Sequence, residues 1–286
     1  MPQSGRPAKT TERTDNMIHR LATINPFISS TQIHSELQVL GPNVPSPRTI
    51  RRRLLKKFKL KAYKPASKPF LSYSQRQKRV RFAKEHLMWT KDMWRKTLFS
   101  DESTFSQFFS YRPFVRRPAK SRLNPRYTRK TIKHPPYIMV WGAMSGAGTG
   151  PLFVIPKKQK VNGQFYLNIL QTHLRQALQL SGASVFQQDG ARAHIHTQVR
   201  EWLATNNIQL LDWPGNSPYL NPIENLWGIL KRKIAARRPS NERQLIAALE
   251  DIWRNEIDVN LCRGLCESMT ERLHAVIDSH GFPTDF

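Results

Sequence analysis

Three acidic side chains stand where a chain can hold them still. Asp189 follows the short β-rich run 185–188, and Asp101 lies in the β-rich run 97–103. Glu224 follows a loop stiffened by Pro214, Pro218 and Pro222, each of which fixes φ. Pro222 suits the first position of a helix and Asn221 its N-cap, so Glu224 falls in the first helical turn. The 34 residues 190–223 separate Asp189 from Glu224. Carboxylates from separate rigid elements suit a hard cation such as Mg²⁺ or Mn²⁺, which takes oxygen ligands and leaves positions for substrate phosphates. Two such ions about 4 Å apart stabilise the attacking and leaving oxygens of an in-line phosphoryl displacement. Each acid also has a plainer reading. An Asp at a strand end is a common turn former, and Asn221-x-x-Glu224 is a capping box in which the Glu serves its own helix. Glu102 adjoins Asp101, but on a strand it faces the opposite way, which makes it a structural or solvent-facing neighbour.

The elements that must position these groups show in the periodicity. Residues 137–144 and 151–156 read as strands around the Gly-rich run 145–150, and 105–111 with 114–117 as a further strand region. Residues 162–180 read as an amphipathic helix with Phe165, Leu167, Ile169, Leu170 and Leu174 inward, and 208–213 as another strand. A helix capped by Ser240 runs to about 257 and another from Asn260 to about 279, with Trp253, Leu261, Leu265 and Leu273 as core candidates. An antiparallel start followed by alternating α and β predicts a mixed sheet flanked by helices over 96–286. The Gly-rich run lacks the Lys-Ser/Thr ending of a phosphate loop and reads as a hairpin turn or a clamp loop.

Residues 11–62 predict three short helices: one with Met17, Ile18, Leu21 and Ala22 inward, one capped by Ser30 or Thr31, and one capped by Ser46 with Ile50, Leu54 and Leu55 inward. This is helix-turn-helix geometry, whose last helix enters the major groove. Seven Lys or Arg and no acid lie between 49 and 61. Arg48, Arg51, Arg52, Arg53, Lys56 and Lys57 are candidate DNA contacts; a solvated basic face or a nuclear-import signal is the plainer reading. Residues 1–10 form a basic tail whose Gly5-Arg6-Pro7 would let Arg6 slip into a minor groove. Residues 63–95 read as a basic linker containing a helix over 75–89. The formal charge of +26, from 46 basic and 20 acidic residues, points to a polyanionic partner. Double-stranded DNA fits better than membrane, since no apolar run approaches the roughly 20 residues needed to span a bilayer. Cys262 and Cys266 read as small buried side chains, and no Cys/His cluster has zinc spacing.

The blocks FSDESTF at 99–105, VFQQDG at 185–190 and WPGNSPYLNPIENLWG at 213–228, with MVWGAMSGAGTGPL at 139–152 and ERLHAVIDSHGFPT at 271–284, resemble the mariner superfamily of DDE transposases in its Tc-type branch. The likeness runs from about residue 5 to the C-terminus, and that branch spaces its last two acids as here. It implies an RNase H-like catalytic domain behind a small all-α DNA-binding domain. It also implies Asp101, Asp189 and Glu224 as the metal-holding catalytic acids of cut-and-paste transposition, with two Mg²⁺ or Mn²⁺ ions. DNA partners would be inverted-repeat ends and a TA target, with a homodimer or higher oligomer on the DNA and the nucleus as its place of work. His194, five residues beyond Asp189, would be a supporting hydrogen-bonding residue. The competing reading is a host-adopted or decayed element acting as a non-catalytic DNA-binding regulator. Three departures accompany the likeness. The chain starts essentially at the linker that follows an additional helix-turn-helix in the branch. Tyr219 stands where relatives often have Asp, and Gly190-Ala-Arg-Ala193 stands for Asn-Asp-Pro-Lys.

Overall fold

The computed structural model describes residues 10–39, 41–42, 44–63, 70–106, 118 and 137–286. The expected hook at Arg6 and the strand residues expected over 107–117 lie outside the described residues. The chain divides into two compact units, Met1–Ser67 and Lys68–Phe286.

The first unit holds helices α1 (Glu12–Ile24), α2 (Ser30–Gln38) and α3 (Pro47–Lys56). The hydroxyls of Thr11, Ser29 and Ser46 accept the amides of Thr14, Gln32 and Thr49, satisfying N–H groups that the helices leave unpaired. The cap of α2 is Ser29, one residue before the expected position, because Gln32 closes a capping box on it. Ile18, Ile33, Leu37 and Ile50 form the core. Leu55, expected inside, is 48% exposed: Ile50 and Leu54 share a face at i, i+4, and Leu55 lies a further 100° round.

The second unit begins with α4 (Tyr73–Glu85) and α5 (Lys91–Arg95), then β1 (Thr97–Ser106), β2 (Tyr137–Ser145), β3 (Gly148–Ile155), α6 (Gly163–Ser181), β4 (Val185–Gln187) and α7 (Thr197–Thr205). Helices α8 (Pro222–Arg237), α9 (Glu242–Asp251), α10 (Val259–Glu267) and α11 (Met269–Asp278) follow. The sheet order is β3-β2-β1-β4, antiparallel except for the parallel β1–β4 pair. This is the expected mixed sheet flanked by helices. The alternation of β1 sets its two faces. Leu98 joins the core that includes Tyr166, Leu170 and Leu174 of α6; Phe99 and Phe105 join the core that includes Trp227, Leu230 and Leu273 of α8 and α11.

Several expectations differ from what folds. The segment expected as linker over 63–95 packs into the second unit from residue 70 onward, because α4 buries Arg79, Phe82 and Ala83. The run 208–213 makes one bridge, Phe186 to Leu210, rather than a strand. Asn241, not Ser240, caps α9. The helix expected over 260–279 starts behind Asp258 and is two helices, broken at Ser268. The Gly-rich run makes the β2–β3 turn, and Cys262 and Cys266 are buried free thiols. Among the described residues no helix is long and apolar enough to cross a membrane.

Candidate active site

Asp101, Asp189 and Glu224 each stand a short step from one arm of a buried polar knot. Ser100 Oγ donates to the Gln187 carbonyl at 2.9 Å and its amide to Gln187 Oε1 at 3.3 Å, tying β1 to β4. Asn221 Nδ2 donates to the Ser100 carbonyl at 3.3 Å, tying the start of α8 to the same residue. Asp101 is the next residue after Ser100, Asp189 lies two beyond Gln187, and Glu224 three beyond Asn221. In the parallel ladder Phe99 pairs with Gln187, the last residue of β4, and Asp189 follows two residues beyond that strand's end. Ser100, Gln187 and Asn221 are all buried, so the knot works in a low dielectric, where satisfied polar groups fix a unique geometry.

Strand alternation sends Asp101 to the side of α8. There Trp227 Nε1 donates to its Oδ2 at 3.2 Å. Glu224, on the first turn of α8, lies within electrostatic reach of Asp101, and the Asn221 amide donates to the Pro218 carbonyl rather than to Glu224. Burial, then the negative charges of Glu224 and Glu102, push the Asp101 carboxyl up to about 8. Burial also raises Glu224, Lys231 opposes the rise, and Asp189 adds to it. Glu224 keeps a solvent-facing side, so burial weighs less on it than on Asp101.

Asp189 is held differently. Its Oδ1 accepts the Ala191 amide at 2.9 Å, the expected turn contact, and lies 2.6 Å from His194 Nδ1. The Nδ1–H direction falls outside hydrogen-bond geometry, so this pairing is one of charge and proximity. The other ring nitrogen, Nε2, lies 3.2 Å from Glu102 Oε1. Burial alone would depress the imidazolium, but close pairing with Asp189 and Glu102 lifts His194 to about 10. Asp189 is correspondingly held below the ordinary carboxylate range: burial would raise it, and His194 and the Ala191 amide outweigh that. The ring of Tyr166 stacks on His194 at 3.9 Å, and its hydroxyl donates to Gln188. Glu102, read from sequence as a structural or solvent neighbour, does face away from Asp101, yet it anchors His194. The only sequence signal for that role was an acid beside the first Asp.

Asp101 and Glu224 therefore lie within electrostatic reach of one another, and Asp189 is a third carboxylate in range but turned toward His194. Among the described residues no group of three or more Asp, Glu, His or Cys side chains stands placed to hold a metal ion, and no Lys or Arg is ion-paired to Asp101 or Glu224. Oxygen-only donors, crowded enough to raise one carboxyl to about 8, fit a hard divalent cation whose other ligands come from water and phosphate. Asp189 and Glu224 are exposed, so a polymer backbone has access.

The basic face of α3 divides in two. Arg48, Arg51, Arg52 and Lys56 are exposed. Arg53 and Lys57 are instead drawn to the buried Asp15, with Nε at 3.4 Å and Nζ at 2.8 Å, and Arg53 also donates to Thr10. Tyr219 lies under Arg79, whose guanidinium is 4.7 Å from its ring centroid.

Known proteins resemble this chain in sequence and in fold. A family described as Transposase matches residues 15–88, and one described as DDE superfamily endonuclease matches 96–246. The Transposable element Tc1 transposase of Caenorhabditis elegans is 40% identical over 277 residues, covering 95% of this chain and 100% of that protein. The Tcb1 transposase of Caenorhabditis briggsae is 39% identical over 278 residues, with the same coverage. The crystal structure of the mariner Mos1 paired end complex with Mg has a TM-score of 0.82 at 18% identity, over 100% of this chain and 83% of that one, a likeness of fold. The chain belongs to the Tc1/mariner-type DDE transposases.

Proposed function

We propose that Asp101, Asp189 and Glu224 hold the divalent ions of this DNA transposase, and that the exposed basic residues of α3 bind the inverted-repeat ends it cuts. The observation that carries the site assignment is the tie of Ser100 to Gln187 and to Asn221, which holds β1, the end of β4 and the start of α8 together beside the three acids. When bound, two Mg²⁺ or Mn²⁺ ions would supply a water of lowered pKa and charge stabilisation for the departing 3′ oxygen. The protein's part is positional. Trp227 fixes one oxygen of Asp101. His194, braced by Glu102 and Tyr166, fixes the rotamer of Asp189. The knot at Ser100 holds the three bearing elements in register. In the cleavage step water forms a bond to phosphorus and the P–O3′ bond breaks, leaving a 5′-phosphate and a free 3′-OH. In the joining step that 3′-OH forms the new bond to a target phosphorus, the site being a TA dinucleotide in this reading.

Solved Mos1 structures include paired-end complexes with a left transposon end, with Mn and with Mg. They support assembly on paired DNA ends; a homodimer or higher oligomer working in the nucleus is the form this reading gives it. The test is the full-length protein with duplex DNA bearing the repeats that flank its gene, in Mg²⁺ or Mn²⁺. Strand breaks at the repeat ends are expected from the wild type. Asp189→Asn should bind the same duplex and cut nothing; retained cleavage rejects the metal-site assignment. A wild type that binds and never cuts leaves the non-catalytic regulator.

A further inference from the structure

The loop that delivers Glu224 is poor in donors. Pro214, Pro218 and Pro222 have no N–H, and the stretch 216–223 is mostly buried; its own turns satisfy the carbonyls of Ser217, Pro218 and Asn221, while those of Asn216 and Tyr219 take partners from elsewhere. Two fully buried arginines supply them. Arg79 of α4 donates from Nη1 to Ser217 Oγ at 3.1 Å and to the Asn216 carbonyl at 3.3 Å, with its guanidinium over the Tyr219 ring. Its Nη2 reaches the Phe282 carbonyl at 3.4 Å. Arg272 of α11 donates from Nη1 to the Tyr219 carbonyl at 2.5 Å and from Nη2 to Asn225 Oδ1 at 2.8 Å. The contacts at 216, 217, 219 and 225 bracket Glu224 on both sides.

Burying a cation without a carboxylate is costly. Its effective penalty is several kcal/mol per ion, and well-packed apolar residues of similar volume are often as stable or more so. Neither Arg79 nor Arg272 has an ion-pair partner among the described residues. Burial lowers the pKa of both, Arg272 to about 10. Core filling does not explain two such groups converging on one loop. The rigid planar fork does, because it satisfies several acceptors on different segments at once.

We propose that Arg79 and Arg272 are positioning residues: together they clasp the loop 214–221 and so set where Glu224 stands relative to Asp101. The clasp joins α4 and α11 to the loop before α8, so the placement of Glu224 depends on elements outside the sheet. The inference rests on the reading of Glu224 as a metal-holding acid.

The test uses full-length protein and nicking of supercoiled plasmid DNA across a Mn²⁺ titration, with melting temperature and metal-free plasmid binding measured alongside. Arg79→Lys and Arg272→Lys keep the charge and lose the fork. Each is expected to need about tenfold more Mn²⁺ for half-maximal nicking, the cost typical of groups that orient metal ligands. Plasmid binding should be unchanged, and the rate should recover at saturating Mn²⁺. Glu224→Gln should stay inactive at every Mn²⁺ concentration. Folded lysine variants that nick at the wild-type Mn²⁺ concentration overturn the clasp while leaving the Glu224 reading intact. Should a lysine variant melt below the assay temperature, Ser217→Ala decides, since it removes an acceptor of Arg79 and keeps both cations. Glu224→Gln nicking like the wild type, or a wild type that never nicks, overturns the parent reading and the clasp with it.

Discussion

Gly142 sits opposite Asp101 in the β1–β2 ladder and directly against the indole of Trp227. A methyl group there would lie 2.6 Å from Trp227 Cη2 and 3.3 Å from Leu152 Cδ1. Two effects of Gly142→Ala oppose one another. Where the backbone is compatible, Gly→Ala stabilises by about 0.4–1 kcal/mol through the unfolded chain. Forcing a methyl into a filled core costs about 1–3 kcal/mol. Trp227 cannot retreat easily, because it is fully buried and stacked on Trp253 at 5.3 Å. Overpacking therefore wins by roughly 1–2 kcal/mol. At 2–4 °C per kcal/mol for a unit of this size, the melting temperature should fall by about 2–8 °C. An internal control fixes the sign. Gly264, exposed within α10, has nothing within 4 Å of an added methyl, so Gly264→Ala should gain roughly 0.5–1 kcal/mol. Trp227→Phe removes the ring atoms that clash, so Gly142→Ala and Trp227→Phe together should cost less than the sum of the two alone. Because Trp227 also holds Asp101, Gly142→Ala should raise the Mn²⁺ requirement for plasmid nicking. Scanning fluorimetry and denaturant titration read the first effects. A Gly142→Ala protein as stable as the wild type, or strictly additive energies in the pair, would refute the packing argument.

Further outcomes follow from other contacts. Glu102→Ala frees one side of His194, so plasmid nicking should need more Mn²⁺ while DNA binding stays at the wild-type level; unchanged metal dependence would leave Glu102 without a role in placing Asp189. Arg51→Ala should weaken DNA binding and lower its salt slope by about one unit with no change in melting. Arg53→Ala should lower the stability of the first unit, because it releases Asp15. Equal effects of the two on gel-shift affinity and on melting would erase the division of the α3 face. Burial raises the Asp15 carboxyl, but Lys57, Thr10 and Arg53 outweigh it and hold it below the ordinary value. With the folded pKa depressed, its stabilisation is fully present above the unfolded value of about 3.9 and is lost as pH falls through the folded one. Acid melting curves should thus lose a component below about pH 4 that Asp15→Asn lacks; identical acid profiles would reject the pairing.

What could be read from the residues and what could not divide along one physical line. Asp101, Asp189 and Glu224 stand out because strand ends and a proline-stiffened helix start are local patterns. The chain names them within a few residues of each acid, and β1 and α8 bring Asp101 and Glu224 within electrostatic reach of one another. Alternation along β1 was equally legible, and it correctly set Asp101 and Glu102 on opposite faces. It could not show what waits on the far face, since His194 lies 92 positions away in the chain. Arg79 makes the same point more sharply. In the sequence it is one basic residue among several on a basic helix, and charge patterning reads such a helix as facing DNA or solvent. Only the loop that docks on it, 137 residues later, makes it buried. The run 208–213 erred in the other direction: β-rich composition licenses a strand, but a strand needs a partner edge, and β4 offers only Phe186. Ser100, Gln187 and Asn221 join both kinds of information. Ser100 and Gln187 are plain polar residues in recognisable blocks and Asn221 reads locally only as a helix cap, and each gains its meaning from the other two. A local code can therefore single out candidate acids, while the register of the elements that carry them is written in pairs of residues that no local code connects.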